Sequence, residues 1–175
     1  MNLILIGYRA TGKTTVARLL AERLGWEWHD VDPEIEREAG KPIDRIFAED
    51  GEPHFRDIES RVLARLCDGE HRIVACGGGT PLRPQNQEVI RKTGKTVWLT
   101  ATPETIHRRM TQDPLSAQRR PNLTNVGGLQ EVIDLLEKRS PVYRKLADWI
   151  VDTENRTPEE ITEEILEHFR PFVER

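Results

Sequence analysis

Leu3-Ile4-Leu5-Ile6-Gly7-Tyr8-Arg9-Ala10-Thr11-Gly12-Lys13-Thr14-Thr15 sets a short apolar run directly before a turn rich in glycine and hydroxyl residues. Four apolar residues without polar alternation are the pattern of a strand buried on both faces. The turn reads G-x-x-x-x-G-K-T at Gly7, Gly12, Lys13 and Thr14. At an average glycine usage of about 7%, that spacing arises by chance in fewer than roughly one in a hundred chains of this length. Its meaning depends on a strand before it and a helix after it. Val16, Ala17, Leu20 and Leu24 follow at helical spacing and Gly25 supplies a stop, so both conditions are met. A loop from Gly7 through Ala10, Thr11, Gly12 and Thr15 offers backbone N–H groups to phosphate oxygens, and the helix adds the positive end of its dipole. Lys13 can neutralise the β/γ-phosphates and the Thr14 hydroxyl can ligate Mg²⁺. The stretch predicts a nucleoside triphosphate site.

Working outward, strands and helices alternate. Residues 26–31 read as a second strand ending in Asp30-Val31-Asp32-Pro33, followed by helices at 33–39 and 53–67. Residues 73–76 form a third strand running into Gly77-Gly78-Gly79. A short helix over 85–92, a strand over 96–99 and a helix opened by Thr102-Pro103 come next. Residues 129–147 are helical, interrupted or kinked at Pro141, and a last strand covers 149–151. Thr157-Pro158-Glu159-Glu160 is a capping-box pattern that opens a terminal amphipathic helix. Residues 113–127 show no periodicity, and a loop of about 15 residues in a compact domain is usually functional or disordered. The pattern predicts an α/β fold in three layers, a parallel sheet flanked by helices, with ligands beyond the carboxyl ends of the strands.

The chain has 175 residues, the length of one domain, 1–175. Its net charge is −4 and 32% of its residues are charged, without the basic stripe of a nucleic-acid binder. Cys67 and Cys76 have neither disulfide nor metal-site spacing, which suits a reduced, cytoplasmic chain. No signal peptide or membrane span is read in it.

The other candidates also follow strands. Asp30 and Asp32, alternate residues at a strand end, share one face. Asp30 suits Mg²⁺ opposite Thr14, and Asp32 suits orienting or deprotonating a substrate hydroxyl. Asp32 before Pro33 is equally an ordinary helix N-cap. Arg56, three residues before Glu59, fits a surface pair, and Arg139 beside Pro141 fits either a solvated charge or a bidentate carboxylate ligand. The triplet Gly77-Gly78-Gly79 admits a ligand close to backbone, or is a plain flexible turn. Arg119 and Arg120 in the long loop suit a lid over a transferring phosphoryl group, or a solvated pair.

Together these pieces resemble shikimate kinase from residue 2 to about residue 165. The P-loop GYRATGKTT shows only nucleotide binding. More specific are DVDPEIEREAGKPIDRIFAEDGEPHFRDIE, VACGGGT, RRP in the loop, EKRSPVYRKLAD and VDTENRTPEE. The resemblance implies a P-loop kinase fold with a five-stranded parallel sheet, a lid near 113–127 and a substrate-binding segment near 32–62. It implies phosphorylation of the 3-hydroxyl of shikimate with MgATP, in aromatic amino-acid biosynthesis, by a monomer. By the same resemblance Lys13, Asp32 and Arg120 are catalytic, and Thr14 and Asp30 lie at the metal. Arg56, Arg139 and the turn at Gly77, Gly78 and Gly79 bind shikimate. Glu59 orients Arg56, while Arg109 and Pro158 flank the adenine. The lid departs from the family's R-P-L-L, reading Arg120-Pro121-Asn122-Leu123, and Thr80 stands where a small residue often follows the glycine turn. Two rivals remain: another P-loop kinase such as a gluconate kinase, and a nucleotide-binding regulatory module without turnover.

Overall fold

In the computed structural model, which describes residues 1–113, 124 and 126–173, β1 (Asn2–Ile6) lies at the centre of the sheet. All five of its residues are buried. Removing each Leu or Ile from water contributes about 1.5–3 kcal/mol, which fixes this strand inside. It pairs in parallel with β3 (Arg72–Ala75) on one side and β4 (Gly94–Thr100) on the other. β2 (Glu27–Asp30) lies outside β3 and β5 (Trp149–Asp152) outside β4, giving the order β2-β3-β1-β4-β5, parallel throughout.

Strand alternation divides the core into two layers. Ile4, Ile6, Val74 and Cys76 face α2 (Val31–Ala39), α3 (Ile43–Asp50), α4 (Glu52–Cys67), α5 (Pro84–Thr93) and the end of α7 (Gly128–Leu146). Leu3, Leu5, Ile73, Val97 and Val151 face α1 (Lys13–Leu24) and α8 (Pro158–Val173). Tyr8, Ile106 and Val132 form a smaller cluster where α6 (Pro103–Gln112) meets α7. The expected five-stranded parallel sheet with helices on both faces is present. The helices leaving the neighbouring strands β1 and β3 pack on opposite faces. That divergence opens a crevice at the carboxyl ends of the strands.

Two elements differ from the sequence expectation. α3 was not anticipated: it has eight residues, follows Pro42 at the N-cap position without a side-chain cap, and buries only Ile43 and Ile46. α7 is not interrupted at Pro141, the first of the two alternatives read there, and runs on to Leu146. An internal proline costs about 3 kcal/mol; burial of Tyr143 and Leu146 beyond it offsets that cost. No helix among the described residues is long and apolar enough to cross a membrane. Most of the expected lid, with Arg119 and Arg120, lies outside the described residues.

Candidate active site

A cleft of about 360 Å³ opens where three strand ends meet. Ala10, Gly12, Lys13, Thr14 and Thr15 line it after β1, Asp30 and Asp32 after β2, and Ala75, Cys76, Gly77 and Gly78 after β3; Arg9 and Asp113 complete the wall. Gly12 is the N-cap of α1 with φ 88°, a conformation that costs other residues strain. No side chain caps α1, and no acidic residue sits in its first turn. By contrast Asp30 caps α2, Thr102 caps α6, and Thr157 and Glu160 close the predicted capping box on α8. The first-turn N–H groups of α1 therefore face the cleft with the positive end of the dipole, an arrangement suited to an anion. Lys13 is 9% exposed, and its Nζ donates to the carbonyls of Gly7 at 2.9 Å and Tyr8 at 2.7 Å.

On the opposite wall, the Thr14 hydroxyl donates to Asp30 Oδ2 at 2.6 Å. Asp30 Oδ1 accepts from the Asp32 backbone N–H at 3.1 Å. This corrects the N-cap reading of Asp32. Asp30 is the cap, Asp32 lies inside the first turn of α2, and its residue lines the cleft. Val31 can open the helix before Pro33 because proline is tolerated in a first turn, where its missing N–H has no intrahelical partner.

The glycine triplet brings the two candidate arginines together from distant helices. A methyl group built on Gly79 would lie 2.5 Å from both Nη atoms of Arg56, and one on Gly78 would lie 2.9 Å from Arg139 Nη1. The guanidinium groups thus lie against backbone that only glycine leaves open. Neither Arg56, Gly79 nor Arg139 is in the wall of the phosphate-side cleft; they adjoin it through Gly78. Arg56 is no surface pair, because its partner Glu59 at 2.8 Å is 1% exposed. Arg139 is no solvated charge: it is 6% exposed and sits 5.5 Å from the Tyr8 ring centre. No carboxylate pairs with it among the described residues, and its Nε there lacks a hydrogen-bond acceptor. A buried cation without a counter-ion is costly, and an anionic ligand would relieve that cost.

Gly7 and Thr11 lie in the loop itself, where the Thr11 hydroxyl donates to Tyr8 O at 2.7 Å. Arg109 reaches the same loop from α6, donating to Ala10 O at 3.1 Å and to Thr153 O and Oγ1 at 3.2 Å. Pro158 opens α8 and does not line the cleft. Arg120 lies outside the described residues. Sequence reasoning gave no role to Tyr143, whose hydroxyl donates to Gly78 O; its spacing of four from Arg139 puts both on one face of α7. Burial raises the Tyr8 phenol against the opposing charges of Arg9 and Arg139. Burial also pushes the Cys76 thiol well up, and the Cys67 thiol to about 11, so both stay neutral at pH 7.

A glycine-rich, lysine-bearing loop at a helix N-terminus, joined to a subsite of two guanidinium groups, is the arrangement of P-loop kinases that act on small molecules. The shikimate kinase family model matches residues 9–170. The shikimate kinase of Symbiobacterium thermophilum is 39% identical over 175 residues, covering 100% of this chain and 99% of that protein. That of Rhodopirellula baltica is 41% identical over 165 residues, covering 94% and 88%. The structure of shikimate kinase from Acinetobacter baumannii in complex with shikimate superposes with a TM-score of 0.90 at 35% identity, covering 97% of this chain and 93% of that one. The chain belongs to the shikimate kinase family. Its reaction is the ATP-dependent phosphorylation of shikimate, a step of aromatic biosynthesis.

Proposed function

We propose that the chain, as a single domain over residues 1–175, transfers the γ-phosphoryl group of ATP to the 3-hydroxyl of shikimate. The γ-phosphorus–oxygen bond of ATP breaks, a bond to the acceptor oxygen forms, and the hydroxyl proton passes to Asp32 or is held by it in transit. The observation that carries this reading is the pair Arg56 and Arg139, converging on Gly79 and Gly78 beside the phosphate cleft. Two guanidinium forks suit one small carboxylate, and Asp32 suits its hydroxyls. Lys13 and the loop Gly7, Ala10, Thr11, Gly12, Thr14 and Thr15 hold the phosphates. Arg109 and Pro158 flank the adenine; the phosphate role that the family resemblance implies for Arg120 falls on a residue outside the described ones. Thr14 Oγ1 and Asp30 Oδ2, 2.6 Å apart, are hard oxygen donors of the kind Mg²⁺ takes. Mg²⁺ held there would neutralise charge on the phosphates. The reading includes a cytoplasmic monomer without nucleic-acid or membrane partners, in keeping with the net charge of −4.

The test is ADP release from MgATP with shikimate, beside quinate, gluconate and no acceptor. Shikimate-dependent release is expected. Release with gluconate instead would remove the arginine roles and leave the phosphate half standing. ATP binding without release for any acceptor would favour a regulatory module. Two variants sharpen the carboxylate site. Arg139→Lys is expected to raise KM for shikimate about tenfold with KM for ATP unchanged, because lysine cannot form the planar fork. An unchanged shikimate KM would return Arg139 to a packing role. Gly79→Ala is expected to raise the same KM by at least about tenfold, since its methyl displaces the Arg56 fork and costs a charge-assisted hydrogen bond. ATP affinity, measured by titration calorimetry, should not change.

A further inference from the structure

Glu59 carries a carboxylate that folding removes from water, at 1% exposure. Such a charge is tolerated when its oxygens are partnered. Its Oε1 accepts from Arg56 Nη1 at 2.8 Å, and its Oε2 accepts from the Thr80 hydroxyl at 2.8 Å. Thr80 is the first residue after the glycine triplet, fully buried, and it opens the 3-10 turn Thr80–Leu82. Its backbone is held independently of its side chain: the N–H donates to Gly77 O at 3.1 Å, and the C=O accepts from Asn86 Nδ2 at 2.8 Å. Asn86 is itself 1% exposed. The hydroxyl is the one part of Thr80 whose hydrogen bond reaches α4.

We infer that Thr80 is a positioning residue for the carboxylate of the acid substrate, acting through Glu59 on Arg56; this rests on the reading of Arg56 as a carboxylate ligand. The chain of contacts runs from the Thr80 hydroxyl to Glu59, from Glu59 to Arg56, and from Arg56 to the face of Gly79. Without the hydroxyl, Glu59 Oε2 becomes a buried acceptor lacking that donor. The carboxylate then turns toward water or another donor, and its bond to Arg56 is disturbed. A competitor is already in place: Glu52, with a side chain 58% exposed, lies 3.4 Å from Arg56 Nη2. Once Glu59 lets go, Glu52 draws the guanidinium toward solvent and away from Gly79. The phosphate loop contributes no residue to this network, so the effect falls on the acid and not on the nucleotide.

The experiment compares Thr80→Val, Thr80→Ala and Thr80→Ser, with Arg56→Lys as reference, by steady-state kinetics in both substrates and thermal melts. Valine keeps the volume and alanine avoids any overpacking, so one of the two tests the hydroxyl even where the other folds poorly. Expected are a rise of about tenfold in KM for shikimate for Val and Ala, kcat within about threefold, and an unchanged KM for ATP. Thr80→Ser should restore KM to within about twofold of the parent, because it keeps the donor. In a Glu59→Gln background, Thr80→Val should add less than about twofold, since the route through Glu59 is already broken. An unchanged shikimate KM in Val and Ala, with Arg56→Lys raising it, overturns the inference and leaves the carboxylate reading intact. If Arg56→Lys also has no effect, the carboxylate reading falls and takes the inference with it. A loss of melting temperature with both KM values and kcat worsening together, unrescued by serine, assigns Thr80 to packing and overturns the inference.

Discussion

Lys13→Ala lowers kcat/KM for ATP by at least about 10³-fold while leaving the fold in place. Removing one preorganised donor from a site of developing charge typically costs about 10²–10³ in rate, and a cation aimed at a transferring phosphoryl group is worth more. Lys13 brings a full charge to a cleft whose wall also holds Arg9 and the N-terminus of α1, which no side chain caps. Among the hydrogen bonds the alanine chain loses are those to Gly7 O and Tyr8 O. At about 0.5–1.5 kcal/mol each, and about 2–4 °C per kcal/mol for a chain of this size, melting drops by several degrees without unfolding at room temperature. Shikimate affinity, read by intrinsic tryptophan fluorescence or calorimetry, stays close to that of the parent. Near-normal turnover would falsify the P-loop assignment. A collapse of melting with loss of both ligands would mean that Lys13 is a structural cation.

What the sequence made legible was local. The strand, turn and helix of residues 3–24 are written within one short stretch, where each N–H and the lysine act on neighbours. The capping box at Thr157 and the cap at Thr102 were readable for the same reason. Local reading failed where two residues satisfied one rule. Asp30 and Asp32 both fit a cap before Pro33, and only the end of β2 at Asp30 decides between them. α3 escaped because it carries no capping side chain and too few buried positions to show a period. The burial of Arg139 and Glu59 was not readable from spacing at all. It depends on α7 and α4 meeting the turn after β3, contacts that span 65 residues from Tyr143 to Gly78 and 21 from Thr80 to Glu59. Only the resemblance to a family assigned Arg56 and Arg139 to one ligand; what the fold adds is that both guanidinium groups lie against the same glycine turn.

Asp32→Asn separates two things an acidic group in the first turn of α2 can do. As a helix-dipole partner it is worth about 0.3–1 kcal/mol, so the amide should lower melting by no more than about 4 °C. The cap survives, because Asp30 Oδ1 still receives the backbone N–H of residue 32. As a partner of the acceptor hydroxyl, the carboxylate matters far more. Asparagine keeps the shape and one acceptor oxygen but cannot take a proton at neutral pH. General-base contributions are typically about 10²–10⁴ in rate. Phosphoryl transfer leans mainly on positioning and charge. The expected result is therefore a fall in kcat of about 10²-fold or more, with nucleotide affinity within about twofold. The size of the loss carries the mechanism: below about tenfold, Asp32 only orients the hydroxyl, because the amide oxygen still accepts its hydrogen bond. Because Thr14 and Asp32 bond to opposite oxygens of Asp30, the nucleotide measurement in the same variant is the control for that geometry. If kcat holds while melting falls, Asp32 acts on the helix and another group receives the proton.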